Sequence, residues 1–183
     1  MFPKRFHFVA LATLVAFSAC TNPEADQMMA DHKAMMAADS TAKAGIAQMK
    51  DAVNKVSDMW LSGSTDGIEA FVSADFMTHN PIPGIEGKGI EDLKKMIDLA
   101  KNTFTDNKMD LISLTAEGDR ATMHYRWRAV NTGSMGEEMP ATGKAIDANA
   151  IDVYRFQDGK IVEHWGYMEE MKMMEQRGMM PSQ

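Results

Sequence analysis

Two ionisable side chains in the last third of the chain have the types and positions suited to acid–base chemistry. Asp152 stands in an otherwise apolar alternating row between Ile146 and Phe156, and His164 follows in the next alternating run. A carboxylate in an apolar pocket can become a usable base near neutral pH, and a histidine can act as acid, base or hydrogen-bond donor to a carbonyl. A structural role is equally open, in which both side chains are hydrogen-bonded within the sheet.

A loop between two predicted helices carries a second polar pair, His79 and Asn80, at the start of "HNPIPGIEGKG". Loops at the open end of a pocket commonly carry binding groups, so both residues are candidates for ligand binding near its mouth. The alternative is a local role, because Asn-Pro sequences also form caps and turns.

Apolar periodicity predicts the elements that position these residues. Helical spacing occurs in residues 42–62 and again in residues 90–104, and Asp66 is a candidate N-cap of a short helix that includes Val72. Alternating patterns then predict four strands, at 108–116, 120–130, 145–156 and 160–168. Helices followed by a run of antiparallel strands are typical of an α+β domain whose helices cover one face of a sheet.

The strand 120–130 indicates which face the helices cover. Met123, Tyr125 and Trp127 share one side of it, whereas His124 lies on the other side and is expected to point away from the core. The aromatic residues expected in the wall of the core or of a ligand pocket are Trp60, Tyr125, Trp127 and Tyr154.

Residues 1–19 have the layout of a bacterial secretory signal. Lys4 and Arg5 precede the apolar run "FVALATLVAF", which is too short to span a bilayer, and small residues stand before Cys20. "FSAC" resembles a lipobox, in which the cysteine becomes the lipidated first residue; an ordinary cleaved signal is the alternative. The predicted location is the bacterial cell envelope, on the periplasmic or cell-surface side, with the lipid as the only membrane attachment.

Composition divides the rest of the chain. Residues 20–40 are polar and rich in small residues, and we interpret them as the lipidated cysteine and a flexible tether. Residues 41–178 are interpreted as the folded domain, and residues 179–183 as a C-terminal tail.

Charge and cysteine content exclude several classes of function. Cys20 is the only cysteine, so its use as an anchor leaves no thiol for disulfides, catalysis or metal binding. Without residues 1–19 the chain keeps 17 basic and 26 acidic residues, a formal net charge of −9. This charge repels phosphate backbones and argues against a nucleic-acid partner.

Four segments together resemble one known family. They are "DMWLSGSTDGIEAFVSADFMTHNP", "EGKGIEDLKKMI", "AEGDRATMHYRW" and "MPATGKAIDANAIDVYRFQDGKIVEHWG". The resemblance is to the SnoaL-like proteins, the polyketide cyclases and ester cyclases of the nuclear-transport-factor-2-like fold, and it covers about residues 45–178. It implies a cone of curved antiparallel sheet that wraps around N-terminal helices and encloses an apolar pocket. It also implies the homodimer that this fold often forms through its sheet.

The resemblance further implies acid–base chemistry on a bound polyketide ester, with neither a metal nor an organic cofactor. In the cyclases, an aspartate two places after a histidine exchanges a proton in an aldol-type ring closure, and a polar group on the neighbouring strand assists. Here the histidine is His164, Gly166 takes the aspartate's place, and the assisting position falls on Asp152. Proton transfer is therefore expected to fall to Asp152 or His164. Gly166→Asp is expected to raise cyclase-like activity, provided that a glycine is not needed there for close packing.

Three functions stay open at this point. The first is binding of a small, mostly apolar, carbonyl-containing molecule, with cyclase- or isomerase-type catalysis by Asp152 and His164. The second is non-catalytic binding or scaffolding by the same pocket. The third is Cu(I) binding by thioethers, because methionines flank His32 and cluster between Met168 and Met180, although methionine is also a general filler of apolar cores. A polar pair that converges in the pocket would favour the first function over the second.

Overall fold

The computed structural model describes residues 22–136 and 139–180. The helices are α1 (Pro23–Ser62), α2 (Ile90–Thr103) and α3 (Glu170–Arg177), with a short 3₁₀ helix at Ile68–Ala70. The strands are β1 (Val72–Thr78), β2 (Phe104–Glu117), β3 (Arg120–Asn131), β4 (Ala145–Gln157) and β5 (Lys160–Met168). Cys20 and the predicted signal lie outside the described residues.

The chain divides into two compact units, Met1–Asp39 and Ser40–Gln183. In the first unit the residues from Pro23 onwards are helical, and none of their side chains is buried. The sequence predicted a flexible tether here, whereas the structure describes residues 23–39 as part of a regular helix, and their role as a tether stays a prediction. No helix in the described part of the chain has both the length and the apolar character needed to cross a membrane.

The second unit is built on one five-stranded sheet with the strand order β1-β5-β4-β3-β2. The strands β2 to β5 pair antiparallel, as their alternating patterns predicted, and β1 pairs parallel with β5. The core lies between the sheet and the helices, where Val53 of α1, Ile97 of α2 and Ile161 of β5 are fully buried. This is the α+β arrangement that the sequence predicted.

Strand alternation predicted the covered face of β3 and β4 correctly. Met123 and Tyr125 on β3 are buried, whereas His124, which lies between these two residues, is only half-buried. On β4, Ala150 and Tyr154 are buried as well. Apolar side chains at every second position therefore build the inner wall.

The sequence did not predict β1, and its segment was wrongly expected to continue a short helix capped by Asp66. The N-cap position of the 3₁₀ helix is Gly67, at φ 74°, and no side chain caps it. β1 pairs with β5 at Val72, Met77 and Thr78, and the register shifts between the first two positions. An edge strand with such irregular pairing leaves no clean alternating pattern in the sequence.

A bulge in β5 changes which residues face inward. Arg155 pairs with Glu163, but the residue after Arg155 pairs with Ile161, so Val162 is extra in the ladder. Strict alternation counted back from His164 would give Val162 the inner position, but the fully buried Ile161 takes that position instead.

The acidic, methionine-rich segment after β5 forms α3, which the sequence also did not predict. Polar contacts attach this short helix to β4: the Asp147 N–H donates to Gln176 Oε1 at 2.9 Å, and the Asn149 N–H donates to Glu169 Oε2 at 2.7 Å. Gly178, at φ 72°, ends the helix in the left-handed conformation that glycine favours. Tertiary contacts, more than local periodicity, thus fix this element.

Candidate active site

Asp152 and His164 form a close pair on adjacent strands. Asp152 lies opposite Gly166 in the β4–β5 ladder, and His164 lies opposite Tyr154, so the two polar side chains are diagonal neighbours. The distance between Asp152 Oδ1 and His164 Nε2 is 3.2 Å, and the side chains are 15% and 17% exposed. A polar pair therefore converges on the covered face of the sheet.

Thr78 of β1 extends this pair to a chain of three side chains. Its Oγ1 lies 2.9 Å from His164 Nδ1 and accepts a hydrogen bond from the Asn80 N–H at 3.3 Å. A carboxylate oxygen accepts hydrogen bonds, so this geometry lets an Nε2–H of His164 donate to Asp152 Oδ1 while the Thr78 hydroxyl donates to Nδ1.

Gly166 leaves the space that the Asp152 carboxylate occupies. A Cβ atom on Gly166 would lie 3.2 Å from both Asp152 Oδ1 and His164 Cε1. The Gly166 N–H donates to Asn80 Oδ1 at 2.7 Å, which attaches the loop after β1 to β5. The carboxylate of Asp152, on the neighbouring strand, thus lies beside the position at which the resemblance drawn from the sequence implies an aspartate.

Two tyrosine hydroxyls complete the surroundings of Asp152. Burial, followed by the negative charge of Asp152, raises the pKa of Tyr125 and of Tyr154 well above the ordinary value of 10.0. Both phenols therefore stay protonated. Tyr154 donates a hydrogen bond of 3.4 Å to Asp152 Oδ2, and Tyr125 lies on the neighbouring strand, diagonal to Asp152. The carboxylate is thus flanked by neutral phenols in a mainly apolar wall.

These groups face a cavity of about 450 Å³, within the range usual for small-ligand sites. Its wall is mostly apolar and is formed by α1, α2, α3, all five strands and the loop after β1. Trp127 is oriented by a 3.1 Å hydrogen bond from its Nε1 to Asn107 Oδ1. The predicted site residues that line this cavity are Trp60, Asn80, Tyr125, Trp127, Asp152, Tyr154 and His164.

The structure corrects the expected position of His79, which does not line the cavity. Its ring stacks on Trp165 with centroids 4.4 Å apart, and its Nε2 lies 3.4 Å from Glu163 Oε2. The His79 N–H donates to the His164 carbonyl, so the strand alternation of β1 continues beyond Thr78. Alternation places Thr78 and Asn80 on the cavity side and His79 on the opposite face.

Thr78 and Arg177 are among the polar cavity residues that sequence reasoning missed. Thr78 lies in β1, and Arg177 lies in α3, the two elements that the sequence did not predict. A parallel edge strand ending in "THN" would have placed Thr78 beside Asn80 on one face, but the sequence offers no comparable signal for Arg177.

The methionines considered as copper ligands have different surroundings. Met168 and Met173 line the cavity together with Met135 and Met139, whereas the methionines that flank His32 are exposed on α1. Within the described residues, no group of three or more His, Cys, Asp and Glu side chains is arranged to hold a metal ion.

A sheet curved around helices, with a cavity on its covered face, defines the nuclear-transport-factor-2-like class of proteins. The chain belongs to the SnoaL-like polyketide cyclase family, whose sequence profile matches residues 50–177. The resemblance drawn from the sequence is thereby confirmed. No curated protein matches the chain significantly.

Solved structures of low sequence identity share the fold. TsrD from Streptomyces laurentii is 22% identical, with a TM-score of 0.62 over 72% of this chain and 98% of that one. AclR from Streptomyces galilaeus is 24% identical, with a TM-score of 0.61 over 74% and 99% of the two chains. A SnoaL-like polyketide cyclase from Agrobacterium tumefaciens is 15% identical, with a TM-score of 0.59 over 70% of this chain and 96% of that one. At these identities the similarity establishes the fold and nothing about a reaction.

Proposed function

We propose that this protein binds a small, mostly apolar, carbonyl-containing molecule and transfers a proton at the carbon next to its carbonyl. The reaction type is that of a cyclase or isomerase of the aldol kind. The observation that carries this proposal is the Asp152–His164 pair, 3.2 Å apart and largely buried in the wall of an apolar cavity.

Asp152 is the proton acceptor in this proposal. Both nitrogens of His164 are engaged, by Thr78 and by Asp152, whereas the two carboxylate oxygens retain lone pairs beyond the bonds that they accept. His164 and Thr78 therefore position the base. The low exposure of the carboxylate removes water that would otherwise compete for it.

Tyr125 and Tyr154 can stabilise the negative charge that proton transfer moves from Asp152 to the substrate. When Asp152 takes the α-proton, the electrons of that C–H bond pass into an enolate, and the negative charge leaves the carboxylate. Tyr125 and Tyr154, still protonated, can then donate to the enolate oxygen. The α-carbon of the enolate then attacks a second carbonyl, or a conjugated enolate takes the proton back at a different carbon. Asp152 returns its proton to the resulting alkoxide or carbon, so the protein ends the cycle unchanged.

Binding without catalysis is the alternative, and the convergence of the polar pair argues against it. A cavity that only held an apolar molecule would gain nothing from a carboxylate in its wall, because desolvating a charge costs free energy unless donors offset it. Four side chains are arranged here to support that one carboxylate: Thr78, Tyr125, Tyr154 and His164.

A matched pair of probes tests carbonyl recognition. 1-Tetralone and tetralin share a bicyclic skeleton and differ in the ketone, so we expect both to bind and the ketone to bind roughly two- to tenfold more tightly through its hydrogen bonds. Isothermal titration measures the affinities, and NMR follows the His164 imidazole, whose resonances should shift with the ketone only. Equal affinities and an unperturbed imidazole would show that the polar pair does not recognise a carbonyl.

We also propose that the protein is attached to the bacterial envelope through a lipid on Cys20. The support is the signal layout of residues 1–19 and the single cysteine that follows. Cys20→Ala should shift the protein from the membrane fraction to the soluble fraction or stall its processing, as followed by fractionation and mass spectrometry. A variant that remains processed and membrane-bound would contradict the lipoprotein assignment. Self-association through the sheet stays a prediction.

A further inference from the structure

Arg177 is a charged side chain buried in the cavity wall. It is the last residue of α3, only 2% of it is exposed, and it lines the same cavity as Asp152. Burial lowers the pKa of this guanidinium, which shows the cost of placing a charge there.

Protein acceptors bind only some of the N–H donors of the Arg177 guanidinium. Its Nε donates to Asn131 Oδ1 at 3.2 Å, and its Nη2 makes a long contact of 3.5 Å with the Pro140 carbonyl. Nη1 has no acceptor among residues 22–136 and 139–180, and no carboxylate of those residues lies within ion-pair distance. A guanidinium has five N–H donors in a planar fork that matches a carboxylate, so donors remain for a ligand.

The surroundings of Arg177 place it at the other end of the cavity from Asp152. Its partner Asn131 is hydrogen-bonded to Lys144, immediately before β4 begins, and Asp152 lies eight residues beyond Lys144. At the rise of a β-strand this corresponds to roughly 25 Å between the backbones of Lys144 and Asp152. Glu170 is the cavity carboxylate on α3 itself, about 10 Å along the helix axis from Arg177.

We propose that Arg177 is the carboxylate-binding subsite of the cavity, so that the ligand is an elongated apolar acid with its carboxylate at Arg177 and its carbonyl near Asp152. The part that concerns the carbonyl rests on the function proposed above. Met135, Met139 and Met173 line the same cavity, and such flexible thioether side chains adapt to an apolar ligand body. Holding the loop of residues 131–144 is a purely structural role for Arg177, and it predicts no preference for anions.

The test uses N-phenyl-1-naphthylamine, a neutral reporter whose fluorescence rises in apolar sites. It is displaced by 2-naphthoate or by methyl 2-naphthoate, which differ in the charge. In the wild-type protein we expect the carboxylate to displace the reporter at about tenfold lower concentration than the ester, as a charge-assisted hydrogen bond predicts. In Arg177→Met this preference should vanish while the reporter still binds, and Arg177→Lys should keep part of it. Lys144→Met removes an exposed charge next to Gly178, outside the cavity wall, and should leave the preference intact.

Each outcome decides one statement. An ester preference or no preference in the wild type overturns the carboxylate subsite even if Arg177→Met fails to fold. A carboxylate preference that survives in folded Arg177→Met, or is lost equally in Lys144→Met, overturns the assignment to Arg177. A wild-type protein that does not bind the neutral reporter contradicts the apolar binding cavity itself, and with it the proposed function.

Discussion

Replacing Asp152 with asparagine is expected to slow α-proton transfer by about 10²–10⁴-fold, the usual contribution of a general base. The side chain keeps its shape and one oxygen acceptor for His164 Nε2–H, so ligand affinity should change little. The measurement is the rate of proton exchange or turnover together with the dissociation constant of the ligand. A large loss of rate at nearly constant affinity is the signature of a group that acts in the transition state.

Asp147 offers a matched control on the same strand. It also lies on β4, but it is paired with Arg126 and its side chain is 38% exposed, away from the cavity wall. Asp147→Asn should leave the rate within about twofold of wild type, since an exposed ion pair contributes little. Thr78→Val should slow the reaction less than Asp152→Asn and alter its pH profile, because Thr78 acts through His164. An unchanged rate in Asp152→Asn would remove Asp152 from the role of base.

Gly166→Asp is expected to lower activity, the opposite of the gain that the family pattern suggested. A Cβ at this position lies 3.2 Å from Asp152 Oδ1 and from His164 Cε1, closer than side chains normally approach. The added carboxylate would also place a second negative charge beside Asp152. Displacement of the base by a fraction of an ångström to 1 Å should cost about tenfold to 10²-fold in rate. Overpacking should lower stability by roughly 1–3 kcal/mol.

Gly166→Ala separates the steric cause of the predicted loss from the electrostatic cause. Alanine brings the steric contact without the charge, so it should reproduce the loss of stability and only part of the loss of rate. Thermal unfolding and proton exchange, measured on both variants, provide the comparison. A faster reaction in Gly166→Asp would mean that position 166 still accommodates the family's catalytic aspartate and that Asp152 does not replace it.

The alternation of side chains along the strands was sufficient to place Asp152 and His164 together at the centre of the site. Asp152 interrupts a regular apolar row on β4, so alternation alone assigns it to the covered face. Alternation also places His164 correctly, because His164 lies beyond the bulge at which Val162 interrupts the ladder. A bulge depends on pairing with the neighbouring strand and leaves no periodic signal of its own.

Residues on irregular or tertiary-dependent elements could not be predicted. Thr78 and His79 lie at the end of an edge strand with interrupted pairing, so their opposite orientations follow only from the register with β5. Arg177 belongs to a short helix that polar contacts hold against β4. Its burial is therefore a property of the tertiary structure, and a surface position would be the ordinary expectation for an arginine.

Deuterium incorporation into 1-tetralone tests the central claim most directly, because it reports proton transfer without requiring the natural substrate. The ketone is incubated with the protein in D₂O, and NMR follows the loss of its α-proton signal. If Asp152 is a base in a carbonyl-binding cavity, the wild-type protein accelerates the exchange, and Asp152→Asn returns it to within a few fold of the rate in buffer. If the wild-type protein binds the ketone in the cavity and exchange still proceeds at the buffer rate, the Asp152–His164 pair is not a proton-transfer site and the account is contradicted.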